Sequence, residues 1–393
     1  MTHRFASIDI LRALTMLFMI FVNDLWTLKD VPEWLGHAGA SDDAMGFADL
    51  IFPAFLVIVG LSVPLAIEAR KKKGYTSLQT TRYILLRSLA LLIMGFFHVN
   101  LESFSSETII SKPLWQIIAT ISFFLIWLDY PEKLDRKKRI GFQVSGILAL
   151  ITLAILYKGN GQDNEITWMH PQWWGILGLI GWSYLLCSLI YLFSRKSVYV
   201  LIAGWALFLS FNILAHTESL EFIELIKNYV WLAGDGAMPA LSMAGVLASS
   251  LYFRSSSVVY RRNYFLLLTL VSGLLIVAAF ETRVIWGISK IRATPSWVML
   301  CTAITLITYM LMIFVCDYHK KQHWFHLIRA GGTSTLTAYL LPYIHYAIFT
   351  MIGIQLPIAL RTGLIGIAKC MLYALLIILI TALLEKRRLR LKV

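Results

Sequence analysis

Residues 5–27 read FASIDILRALTMLFMIFVNDLWT, from Phe5 to Thr27. Roughly 20 mostly apolar residues suffice for a helix to cross the hydrocarbon of a bilayer. Only Asp9, Arg12 and Asp24 put charge into this run. A helix is the conformation that satisfies every backbone amide where water is absent. A basic start, His3-Arg4, precedes the run, but Leu28-Lys29-Asp30-Val31-Pro32 follows it in place of a small-residue cleavage site. The run therefore reads as a retained first helix and not as a removable leader.

Runs of the same kind fill the rest of the chain, near 47–69, 82–101, 113–129, 140–157, 173–193, 198–215, 237–253, 263–281, 296–316, 334–351 and 363–385. The expectation is an all-α, polytopic integral membrane bundle of about twelve transmembrane helices. The range is ten to twelve, because the run at 237–253 is the shortest and the richest in Gly, Ala and Ser. A composition 58% hydrophobic and 15% charged excludes an ordinary soluble domain. No internal repeat, low-complexity tract or long linker divides residues 1–393, which read as one transmembrane domain. Cys187, Cys301, Cys316 and Cys370 have no metal-ligand spacing and read as packing residues.

Lys and Arg concentrate on the cytoplasmic side of membrane proteins. With both termini cytoplasmic, the inner segments carry 25 of the 35 and the outer loops eight, while Arg12 and Lys369 lie within helices. One outer loop, 282–295, breaks the rule with Arg283, Lys290 and Arg292. The net charge of +13 then faces anionic membrane lipids and calls for no nucleic acid. The expected location is the cell (inner) membrane, as a multi-pass protein.

Ionisable groups within a span are functional candidates by default. Asp9 and Arg12, three residues apart, pair on one face of the first helix, and Asn23 returns to the same face near its outer end. A headgroup-level ion pair and interhelical glue explain these residues equally well. The loop that follows is long and irregular, with Trp34, Gly36, His37, Gly39, Asp42, Asp43 and Gly46. Loops of that length are commonly functional, and a neutral imidazole suits proton transfer or transient acyl acceptance. Spacing alone does not make His37 a catalyst. Asp49 opens the second helix, where it orients His37, holds a cationic amine or answers the helix dipole. His345, between Tyr343 and Tyr346, either lines an acceptor pocket or is an interhelical histidine. His319, His323 and His326 have helical spacing but no matching carboxylate, so no metal is expected.

The order of motifs adds a resemblance. Arg4-Phe5-Ala6-Ser7-Ile8-Asp9-Ile10-Leu11-Arg12, then Phe21-Val22-Asn23-Asp24, His37-Ala38, Phe47-Ala48-Asp49-Leu50-Ile51-Phe52-Pro53-Ala54-Phe55 and Ile58-Val59-Gly60-Leu61-Ser62 resemble the opening of the heparan-alpha-glucosaminide N-acetyltransferase family. The match is strongest over 4–64. It thins downstream, where Ile117 follows Pro113-Leu114-Trp115-Gln116 in place of an arginine, and the helix pair at 173–215 is additional. The resemblance implies a transmembrane acyltransferase that takes acetyl from cytosolic acetyl-CoA and places it on an extracytoplasmic amino sugar or glycan, by N- or O-acylation, and that forms a homodimer. It implies that His37 is the active-site histidine and Asn23 its neighbouring asparagine.

On that reading Asp49 supports His37. Asp9, Arg12, Arg70, Lys71, Lys72, Lys73, Arg82 and Arg87 serve the donor, some of the cations holding its phosphates. Trp34, Asp42, Asp43 and His345 line the acceptor site. The rival reading is a secondary transporter or flippase for a sugar or lipid-linked sugar, although related halves and broken midplane helices are not evident.

Overall fold

The computed structural model describes residues 6–161, 165–217, 234–254 and 258–393. Arg4 of the opening motif, and Lys227 and Trp231 of the expected outer segments, lie outside them. The chain is an all-α polytopic membrane protein. Among the described residues twelve helices stand where the twelve apolar runs lie: α1 Ala6–Asp24, α2 Phe47–Lys72, α3 Ser77–Val99, α4 Lys112–Trp127, α5 Arg136–Leu156, α6 Gly175–Phe193, α7 Val198–Ala215, α8 Ala237–Arg254, α9 Val258–Trp286, α10 Pro295–Met312, α11 Thr335–Ile352 and α12 Gly363–Lys386. Ten are long and apolar enough to span a bilayer, and α4 and α8 are the two shorter apolar helices. A two-residue antiparallel ribbon, Gly159–Asn160 with Ile166–Thr167, is the regular β-structure of the described residues.

The outward faces fit a hydrocarbon solvent. Leu266, Leu270, Leu274 and Val277 form an exposed stripe on α9, and Leu372, Leu376, Leu379 and Leu383 another on α12. Both follow helical spacing. In water such stripes would mark aggregation sites, whereas in lipid they face their own kind.

Packing divides the chain into two compact units, Met1–Thr15, Val31–Leu89 and Leu179–His326 in the first, and Met16–Asp30, Ala90–Gly178 and Leu327–Val393 in the second. In the first unit α2 lies against α8, and glycine sets their approach. A Cβ on Gly60 would overlap the backbone of Ser242, and one on Gly245 would overlap that of Val57. Small residues are how membrane helices bring backbones together when no hydrophobic drive separates helix from lipid. Gly60→Val is therefore expected to destabilise the protein by about 1–3 kcal/mol or more, read as a fall in Tm of the detergent-solubilised protein. Gly273→Val, on α9 where a Cβ meets open space, is the control and should melt with the wild type.

The second unit is built around Trp115 on α4, which is fully buried, stacks on Phe97 of α3 with centroids 5.6 Å apart and donates through Nε1 to the Leu153 carbonyl at 3.2 Å. Asn100 closes the end of α3 by donating to the carbonyls of Phe96 and His170 and accepting from the His170 N–H. All four cysteines are free and buried.

Candidate functional site

The loop that precedes α2 is folded back onto that helix by close backbone approach. The carbonyl of Gly36 lies where a side chain on Gly46 would stand, so the chain passes there only because Gly46 has none. Phe47 N–H donates to the Trp34 carbonyl at 2.7 Å, and Ala48 N–H to that of Leu35 at 3.2 Å. These bonds satisfy donors at the start of α2 that have no partner within the helix. They also place His37 above the first turn.

Asp49 sits in that turn with its side chain 1% exposed. Its Oδ2 accepts the Gly46 N–H at 3.1 Å and the Ala38 N–H at 2.9 Å, and its Oδ1 lies 2.6 Å from His37 Nδ1. Attraction to a helix dipole is worth about 0.3–1 kcal/mol at an exposed site. Removing a carboxylate from water costs several times that, unless charge-assisted hydrogen bonds of about 1.5–3 kcal/mol each replace the lost solvation. The dipole alone therefore does not account for a buried Asp49. The two N–H groups and the imidazole do.

Lys290, from the loop between α9 and α10, brings its ammonium to 3.7 Å from Asp49 Oδ1 and 3.2 Å from His37 Nδ1. One ring nitrogen cannot both donate to the carboxylate and accept from the ammonium. The contact to the carboxylate is the shorter, so Nδ1 carries the proton and donates it to Asp49. The lone pair is then on Nε2, which makes no hydrogen bond to a described residue, on a side chain 48% exposed. Burial pushes the Lys290 pKa below its ordinary value, opposed by the charge on Asp49.

The last turn of α9 and the same loop together hold Asp43. Arg283 Nε donates to Asp43 Oδ2 at 2.8 Å, and the Ile288 N–H donates to Oδ1 at 2.7 Å. The hydrogen bond from Arg283, followed by that from Ile288, holds the Asp43 carboxyl below the usual carboxylate range. Two of the three charges that break the inside-positive pattern are thus engaged with acids, Arg283 with Asp43 and Lys290 with Asp49.

The other expected site residues are distributed as follows. Asn23 is exposed near the end of α1 and belongs to the second unit. Trp34 is exposed, and Asp42 is exposed and accepts the Gly39 N–H at 2.7 Å. Asp9 and Arg12 form an ion pair at 3.3 Å, and Arg12 also donates to Ser62 Oγ on α2 at 2.6 Å. Lys71 lies 3.7 Å from Glu68, while Lys72, Lys73 and Arg82 are exposed. Arg70 and Arg87 sit among tyrosines, with Arg70 between the rings of Tyr75 and Tyr83. His345 lies in the second unit, within reach of the Tyr373 hydroxyl at 3.1 Å, in a cleft of about 420 Å³ that Asp24, Thr27, Tyr346 and Lys369 also line.

Two groups escaped the sequence reading. Lys290 gave one signal, its place in the outer loop with the wrong charge. Asp24 is the buried acid at the end of α1, bonded to Lys369 at 2.8 Å and to the Tyr346 hydroxyl at 2.7 Å. An acid and a base, each in an apolar run, were the available hint of that pair.

The family described as Domain of unknown function (DUF5009) matches residues 4–235, more than half of the chain. The chain belongs to this family. The DUF5009 segment contains Asn23, His37 and Asp49, together with Arg70 and Arg87, and it stops short of Lys290 and His345. Beyond DUF5009, the chain is 30% identical over 102 residues to the heparan-alpha-glucosaminide N-acetyltransferase of Mus musculus. That stretch is 25% of this chain and 14% of the mouse enzyme. The likeness is that of a distant relative, and it links this DUF5009 protein to an acetyltransferase.

Proposed function

We propose that this protein is an acetyltransferase of the membrane that moves acetyl from acetyl-CoA to an amino sugar or glycan on the opposite side, with His37 as acetyl acceptor or general base. The observation that carries the reading is the pairing of His37 Nδ1 with the buried Asp49 carboxylate, which leaves Nε2 with a free lone pair. In the first route Nε2 attacks the thioester carbonyl, the C–S bond breaks, the coenzyme thiolate leaves, and the acceptor amine then takes acetyl from the ring. In the second, Nε2 removes a proton from the amine as the amine attacks the thioester directly, the C–S bond breaks, and the leaving coenzyme thiolate takes the proton back from the ring. Asp49 fixes the tautomer in both.

Asn23 enters through the resemblance alone, as a donor to the thioester oxygen when negative charge develops, a contribution of about 3 kcal/mol when well placed. The test is purified protein in liposomes, with labelled acetyl-CoA on one face and a panel of amino sugars and glycan fragments on the other. Acetylated acceptor should accumulate without net sugar transport. Sugar crossing without the coenzyme would replace this reading with a transporter.

Lys290 is a positioning residue on this reading. Lys290→Gln removes the ammonium that lies against both the ring and the Asp49 carboxylate. It is expected to lower kcat roughly tenfold with KM for acetyl-CoA unchanged. A kcat equal to that of the wild type would show that Lys290 merely packs the loop.

A further inference from the structure

We propose that Arg70 and Arg87, held by Tyr75, Tyr83 and Tyr184 where α2, α3 and α6 meet, form a binding site for a phosphate group. Arg70 lies in the last turn of α2, and its guanidinium is sandwiched 4.2 Å from the ring centroids of both Tyr75 and Tyr83. Arg87 lies one turn beyond Tyr83 on α3. It donates to the Tyr83 hydroxyl at 3.2 Å and stands 5.0 Å from the ring of Tyr184 on α6. Side chains on a helix lean toward its N-terminus, so Arg87 reaches back toward the α2–α3 turn and the end of Arg70. Tyr83 thus joins the two guanidinium groups.

Neither arginine has a carboxylate partner among the described residues. The nearby acid Glu68 is taken, by Lys196 at 2.8 Å, Lys71 at 3.7 Å and the Tyr191 hydroxyl at 3.4 Å. The Nε atoms of Arg70 and Arg87 are both buried without a hydrogen-bond acceptor. Aromatic faces attract a guanidinium but supply no acceptor in its plane, so apart from the Arg87 bond to the Tyr83 hydroxyl the N–H fork that matches phosphate oxygens is left open among the described residues. An anion with several acceptor oxygens answers both the charge and the orphaned donors. The planar fork selects phosphate or carboxylate geometry over a simple counter-ion. Lys72, Lys73 and Arg82 are exposed around the same helix ends and add a long-range field that draws such a group in.

Two sources carry this chemistry, the phosphates of a nucleotide-bearing coenzyme and the headgroup of an anionic phospholipid. The inference does not rest on acetyl transfer, because binding is read apart from turnover. The experiment uses the full chain purified in neutral detergent, with wild type, Arg70→Gln, Arg87→Gln and Lys138→Gln compared by calorimetric titration and thermal shift. The probes are coenzyme A, its 3′-dephospho form, short-chain phosphatidylglycerol and short-chain phosphatidylcholine. A phosphate-bearing probe should bind the wild type, and Arg70→Gln and Arg87→Gln should each weaken it about tenfold or more.

Lys138→Gln, an exposed cation on α5 outside the site, should stay within about twofold, since a surface charge contributes little to a bound contact. Preference for coenzyme A over the dephospho form assigns the site to the coenzyme's 3′-phosphate. Equal binding of those two, lost in both variants, assigns it to the pyrophosphate, and preference for phosphatidylglycerol over phosphatidylcholine assigns it to lipid. Arg70→Gln, at a helix end, carries the test should Arg87→Gln fail to fold. Wild type that binds none of the phosphate-bearing probes, or a folded Arg70→Gln that binds them all unchanged, would overturn the site.

Discussion

Replacing His37 by alanine is expected to reduce acetyl transfer at least about 10³-fold, to the level of the uncatalysed exchange, because it removes the group that either carries the acetyl or takes the proton. The protein itself should survive the change. The His37 side chain is 48% exposed, so truncation opens no cavity, and Asp49 keeps the N–H groups of Ala38 and Gly46 as well as Lys290. The loss in stability should be about 1 kcal/mol, that of one hydrogen bond at a partly exposed site. Folded His37→Ala that retains wild-type turnover in the liposome assay would remove His37 from the chemistry.

Asp49→Asn is expected to lower turnover about 10²–10⁴-fold, through the tautomer and not through lost contact. The amide oxygen of the variant can still accept the Ala38 and Gly46 N–H groups now bound by Oδ2. Its amide nitrogen then faces His37 Nδ1, 2.6 Å from the replaced oxygen. Facing a donor, Nδ1 becomes the acceptor and the ring proton moves to Nε2, the atom that on the proposed reading either attacks or takes the proton. Stability should fall by about 1–3 kcal/mol, because a buried charge-assisted set becomes a neutral one beside an unanswered Lys290 ammonium. Asp49→Ala separates the two effects, since it leaves the N–H groups of Ala38 and Gly46 orphaned and should melt well below the asparagine variant. Turnover by Asp49→Asn within a few-fold of wild type would show that the carboxylate serves the helix start alone.

The helices were legible because each apolar run answers to one solvent, and bilayer thickness sets its length. The end of α4 was read two residues too far, at 129 in place of Trp127, since Leu128 continues the apolar composition although the chain there turns extended to meet Leu391. The pairing of His37 with Asp49 was legible as one of three alternatives. Sequence gave no measure of burial, and burial is what separates an orienting carboxylate from a dipole partner. Lys290 was not legible as a site residue. Its contact spans 253 positions, and a lysine in a loop carries no mark of where that loop lands. The anomalous charge of residues 282–295 was the trace it left, and the acids that Arg283 and Lys290 meet supply its physical reason. The tyrosine-held arginines were legible as basic residues but not as a pair, because the rings that hold them come from the turn before α3, from α3 itself and from α6.

The bonds from Arg283, Ile288 and Lys290 to the loop ahead of α2 mean that the His37 ring is moored by a stretch of chain that the family match of residues 4–235 does not include. A graft of the amino-terminal portion onto another scaffold would transplant the imidazole and leave its anchor behind, so the exchangeable unit for engineering is the pair of loops and not either one.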